Sequence, residues 1–88
     1  ERLPEWQVEA QAHALAERQE MRECLTRALD DLPDSHRVVF VLKDLEDWET
    51  DAIARHLQLT PGTVRQRLHR SRVLLQARLR AHVLGGRP

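Results

Sequence analysis

Between positions 65 and 70 the chain sets Arg65, Gln66, His69 and Arg70 at spacings that fall on one side of an α-helix. Their chemistry is recognition by hydrogen bonding. An arginine fork fits the two acceptors on the major-groove edge of guanine, and a glutamine amide fits the donor and acceptor of adenine. Close by stand Thr60, Gly62, Thr63, Arg67 and Arg72. Backbone N–H groups at a helix start, a glycine that admits close approach and flanking guanidinium groups all suit phosphate. Arg78, farther along, belongs with the phosphate-directed cations.

Other chemistries find less support. The histidines His13, His36, His56, His69 and His82 are dispersed, with no i, i+4 pair, and Cys24 is the single cysteine. That spacing offers no zinc site, so neither metal nor cofactor is expected. Cys24 reads as a small buried apolar residue, and one cysteine allows no internal disulfide, which suits a reducing cytoplasm. Glu17, Glu20 and Glu23 read as a solvated face, and no carboxylate has a pocket-forming partner. The chain is therefore expected not to be an enzyme.

The charge distribution points the same way. The formal net charge is zero, yet residues 1–51 hold all fourteen acidic side chains with six basic ones, a net −8. Residues 52–88 hold eight arginines and no acid, a net +8. An acid-free arginine segment is the footprint of a polyanion partner, although two halves that neutralise each other across one fold would balance equally well.

With 88 residues the chain is one small domain with a modest core. Aromatics are confined to Trp6, Phe40 and Trp48, and only three glycines occur, so helices are expected. There is no long apolar run to span a membrane. No signal peptide is recognisable and the chain opens on Glu1, so it reads as a piece of a longer protein.

Four helices must position the recognition residues, at about 5–31, 35–45, 50–57 and 61–82, in a domain covering 1–84 with a disordered tail at 85–88. Pro4 and Glu5 open the first, and Met21, Leu25, Ala28 and Leu32 form its apolar stripe with Cys24 and Leu29 beside it. Its first half, resting on Ala10, Ala14 and Leu15, is expected to fray or to dock on something else. Pro33 stops it. Asp34 or Ser35 is expected to cap the second helix. The apolar run Val38-Val39-Phe40-Val41-Leu42 wraps more than one of its faces, by deep burial or by turning Phe40 or Val38 to a partner. In the third helix Ile53 and Leu57 face inward. Thr60-Pro61, a hydroxyl cap followed by proline at the first helical position, is a strong start for the fourth. Val64, Leu68, Ser71, Leu75 and Leu79 mark its buried stripe.

A short helix, the turn Gln58-Leu59-Thr60 and an arginine-rich helix make a helix-turn-helix without a wing. Here the run from Leu32 to Leu79 resembles the C-terminal region 4 domain of bacterial sigma-70 family factors, nearest the extracytoplasmic-function (ECF) group. The specific pieces are L-P-x-x-x-R at Leu32 to Arg37, I-A-x-x-L at Ile53 to Leu57, and G-T-V-R-x-R-L-H-R-S-R at Gly62 to Arg72. The family usually carries glycine where Asp47 and Gln58 stand, and Gln58 is expected to take a left-handed conformation at modest cost. An acidic residue usually precedes Ile-Ala, where Ala52 stands; Glu49 replaces the usual serine, so Thr50 is expected to cap one residue later.

The resemblance implies binding of double-stranded promoter DNA at the −35 element, through Arg65, Gln66, His69 and Arg70. It also implies docking on the β flap of RNA polymerase and an anti-sigma partner. Gln66 stands where a small residue is usual. Two other readings compete: the effector domain of a response regulator, and a helical module whose arginine face binds an acidic protein.

Overall fold

In a computed structural model, residues 4–85 are described. They form α1 (Glu5–Asp30), α2 (Asp34–Phe40) continuing into a π-helical segment (Val41–Leu45), α3 (Thr50–Leu57) and α4 (Pro61–Leu84). All of these elements are helical, as the residue palette predicts. The proposed tail at 85–88 falls, beyond Gly85, outside the described residues.

The molecule measures 54 × 35 × 15 Å. Its least dimension leaves room for about two layers of helix, whose axes pack ~8–10 Å apart. Few side chains can therefore be enclosed on every side, and the largest that are fully buried are Ile53, Val39, Val64 and Ser71. α4 is the spine, with α2, α3 and α1 each packed against it. The core joins Ala28 and Leu32 of the α1 end to Val39, Phe40 and Leu42, to Ile53 and Ala54, and to Val64, Leu68 and Leu75. Leu57, expected inside, packs against this core while remaining partly exposed, as does Leu59 of the turn.

α1 stops where the residue before Pro33 is forced out of the helical region. Its last carbonyls are satisfied by Arg37 from the next helix. Arg37 Nε donates to Leu29 O at 2.8 Å, and Nη2 donates to Leu32 O at 2.9 Å and Asp30 O at 3.3 Å. A rigid guanidinium suits this task, since it can reach several carbonyls at once. Asp34, expected as a cap for α2, instead lies inside the helix and pairs with Arg37 at 3.2 Å. Ser35 caps nothing either; its hydroxyl lies 3.2 Å from His36 Nδ1. Thr50 likewise is the first residue of α3 and not its cap.

The apolar run of the second helix is divided between core and surface, and Phe40 lies on the core side. Val39, Phe40 and Leu42 are buried, whereas Val38 and Leu45 face solvent. From Val41 the helix widens to π geometry, a departure from the single α-helix over 35–45. Along α1, Cys24 and Ala28 are buried, but the first half remains helical while exposing Trp6 (67%) and Leu15 (61%). α4 runs two residues past the expected end, to Leu84, antiparallel to α1 and beside it.

Candidate nucleic-acid interface

The angle between α3 and α4 is set by a turn with a defined hydrogen-bond pattern. Gln58 takes φ 58° and ψ 47°, the left-handed conformation expected where glycine is usual. Leu59 N–H donates to Ala54 O at 2.8 Å and Gln58 N–H to Arg55 O at 3.4 Å. These two bonds make a Schellman motif, and Leu59 adds the apolar contact that accompanies it. Asp47 also has φ 58°, ending the π segment, and Trp48 N–H then closes on Leu42 O at 2.9 Å. Trp48 meets His56 edge to face, centroids 5.3 Å apart, so the loop before α3 rests on that helix's last turn.

α4 begins as its sequence signal requires. Thr60 is the N-cap, its Oγ1 accepting from Thr63 N–H at 3.1 Å, and Pro61 occupies the first helical position. The two threonine hydroxyls also meet, at 2.9 Å. Val64 N–H is bonded to Thr60 O. Proline has no N–H to offer, so the donors left open in this first turn, among the described residues, are those of Thr60 and Gly62. The expectation of several free N–H groups across Thr60–Thr63 thus narrows to two, with the threonine hydroxyls beside them. A Cβ on Gly62 would meet only Thr60 Oγ1, at 3.9 Å, so the fold itself has room for a side chain there.

Val64, Leu68, Ser71 and Leu75 are buried, as their stripe predicts, whereas Leu79, expected with them, is only partly buried. Ser71 is wholly enclosed, its Oγ 2.7 Å from Arg67 O and 3.1 Å from His36 O, and its one proton serves these carbonyls. A small residue here lets α2 lie close to α4. With that stripe inward, Arg65, Gln66, His69 and Arg70 are all exposed on the opposite side. Together with Val73 (49% exposed) and Leu74 (40%) they line one open concavity of about 600 Å³. Those four candidate readers therefore share one surface. Arg67 is half-buried and, two residues or ~200° round the helix from Arg65, lies on the other flank.

Arg72 is differently engaged. Its Nε donates to Asp44 Oδ2 at 2.8 Å and its Nη2 to Asp44 Oδ1 at 2.6 Å, a two-point ion pair. The hydrogen bonds from Arg72 hold the Asp44 carboxyl below its ordinary value, and the same bonds raise the Arg72 guanidinium. Arg78 is paired as well, with Asp31 at the end of α1. Sequence reasoning singled out neither carboxylate, since partners 28 and 47 residues away leave no local spacing signal. Nor does the L-P-x-x-x-R spacing disclose the part Arg37 plays at the end of α1.

Among the described residues no group of three or more His, Cys, Asp or Glu side chains stands together as a metal site, and no helix is long and apolar enough to cross a membrane. Compared with known protein families, residues 22–75 match the one described as Sigma-70, region 4. No curated protein matches the chain.

Proposed function

The chain belongs to the sigma-70 region 4 family, whose domains bind DNA and work with RNA polymerase in promoter recognition, and from that premise we propose that it reads the −35 element of promoters served by an ECF-type factor. The observation that carries this reading is the exposed face of α4. Arg65, Gln66, His69 and Arg70 lie together on a helix that contains no acidic residue. Laid in the major groove, such a helix offers bidentate donors to purine edges, while neighbouring groups hold the phosphates. Gly62 N–H and the hydroxyls of Thr60 and Thr63 suit a phosphate at the head of the helix, and Arg67 one on its flank. Arg72 joins them only on release from Asp44.

At about 1.5 Å per residue, the first two to three turns of α4 are about as long as the ~12 Å major groove is wide. The rest, from about Val73, packs on α1 or faces partners. In this reading the domain makes and breaks no bonds; it positions polymerase through the β flap and is held in check by an anti-sigma factor. The family membership displaces a response-regulator effector domain.

The test is a titration of fluorescent duplexes with the 88-residue chain at several salt concentrations, comparing a selected promoter sequence with a scrambled one. Gln66→Ala and Arg70→Ala should each cost about 1–3 kcal/mol of discrimination between the two. If both variants keep the parent's preference, α4 does not read bases through this face.

A further inference from the structure

The six arginines of α4 fall into two groups. Among the described residues Arg65, Arg67, Arg70 and Arg80 have no acidic partner, whereas Arg72 is paired with Asp44 and Arg78 with Asp31. Arg72 stands two turns after Arg65, on the same side of the helix and about 10 Å farther along its axis. From that position an extended guanidinium would meet the phosphates flanking the groove. Its Nε–Nη2 edge is instead spent on Asp44, at 2.8 and 2.6 Å. Asp44 is held there by the π segment, which continues from α2 and packs on α3, while α2 is fixed to α4 through the common core and the contact of Ser71 with His36 O. The carboxylate is the more enclosed partner, 24% exposed against 45% for Arg72.

We infer that Asp44 is a positioning residue that withholds Arg72 from the DNA backbone and so sets how many phosphates the domain neutralises. The inference rests on the placement of α4 in the groove proposed above. A cation already neutralised by a carboxylate releases no counterion when it nears a phosphate, so it adds nothing to the sequence-independent part of binding. Withholding it leaves a larger share of the affinity to the contacts that discriminate sequence. The depressed Asp44 carboxyl keeps the pair charged at neutral pH.

The experiment measures affinity against salt for a scrambled duplex and a selected promoter duplex, with the parent chain, Asp44→Asn, Arg72→Gln and the double variant. Asp44→Asn should strengthen binding to both duplexes alike and steepen the slope of log K on log salt by about 0.9, the contribution of one phosphate. Over a fourfold change in salt its affinity ratio to the parent should then shift by about three- to fourfold. Arg72→Gln alone should leave the slope unchanged, and in its background Asp44→Asn should add no steepening. Weaker binding by Asp44→Asn would mean that the carboxylate aims Arg72 at the DNA, and would overturn the inference. So would a flatter slope for Arg72→Gln, or steepening that persists in the double variant, which would mark a general charge effect. The Arg72→Gln arm decides the matter even where circular dichroism shows Asp44→Asn unfolded. A parent that binds neither duplex overturns the −35 reading and this inference with it; a parent that binds while Asp44→Asn has no effect overturns the inference alone.

Discussion

Replacing Gln58 by glycine should make the domain more stable. At φ 58° and ψ 47° the glutamine Cβ is pressed toward its own carbonyl oxygen, a conformation that costs an L-residue about 1–2 kcal/mol. Glycine escapes that cost but gives up about 0.5–1 kcal/mol in the greater freedom of its unfolded chain. The difference favours glycine by about 0.5–1 kcal/mol. Nothing offsets it, because Gln58 is exposed and its side chain makes no hydrogen bond, while both Schellman bonds run through the backbone. For a domain of this size, that gain raises Tm by about 2–8 °C. Thermal unfolding followed by far-ultraviolet circular dichroism measures it, with two companions. Gln58→Val, β-branched in the same conformation, should fall below the parent. Asp47→Gly should gain less than Gln58→Gly, because aspartate tolerates positive φ better than glutamine. An unchanged or lower Tm for Gln58→Gly would refute the reasoning, and so would a larger gain at Asp47.

Arg37→Ala leaves the carbonyls of Leu29, Asp30 and Leu32 without their charged donor and should cost about 1–3 kcal/mol in a denaturant titration, with Arg37→Lys recovering only part because an ammonium cannot fork. Gly62→Ala should raise Tm slightly, the Cβ being accommodated at 3.9 Å, yet weaken DNA binding in the same duplex assay if a phosphate approaches that backbone. The Asp44–Arg72 pair should make stability depend on acid: Asp44 is depressed in the folded state, so its contribution stands in full above the ordinary 3.8 and is lost as pH falls through the folded value. The parent's Tm advantage over Asp44→Asn, worth up to about 1 kcal/mol for a pair this exposed, should therefore be present at neutral pH and shrink below about pH 4.

What could be read from the sequence was mostly what is encoded locally. Thr60-Pro61 announces the start of α4 because cap and proline act on their own turn, and the 3.6-residue period puts Val64, Leu68, Ser71 and Leu75 on one side. Once the stripe is known, the exposure of Arg65, Gln66, His69 and Arg70 follows by exclusion. The left-handed turn at Gln58 was legible through a comparison of residue types, since a position that usually holds glycine keeps its backbone shape when the side chain changes. The expected caps at Asp34, Ser35 and Thr50 failed for a physical reason. The start of α2 is governed by Pro33, and the nearby Arg37 draws Asp34 into an ion pair. The π widening at Val41–Leu45 has no period of its own within five residues, so no local pattern announces it.

The division of charge along the chain acquires a structural sense from these pairings. Two halves of opposite sign invite the explanation that they simply neutralise each other, and for part of α4 they do. Asp44 and Asp31, both from the acidic half, take Arg72 and Arg78 in the trailing turns. In the first three turns the same explanation fails, for Arg65, Arg67 and Arg70 have no acidic partner among the described residues. Self-neutralisation would spread the pairs along the helix, and solubility alone would leave all its arginines free. What is found is a boundary near Arg70: the α4 cations up to it are open, and of the three beyond it Arg72 and Arg78 are paired while Arg80 is not. Such a boundary is what a helix needs if its leading end is to meet a polyanion while its trailing end is held against its own domain. The acidic half thus decides which arginines of α4 are left open to a polyanion, as well as bringing the net charge to zero.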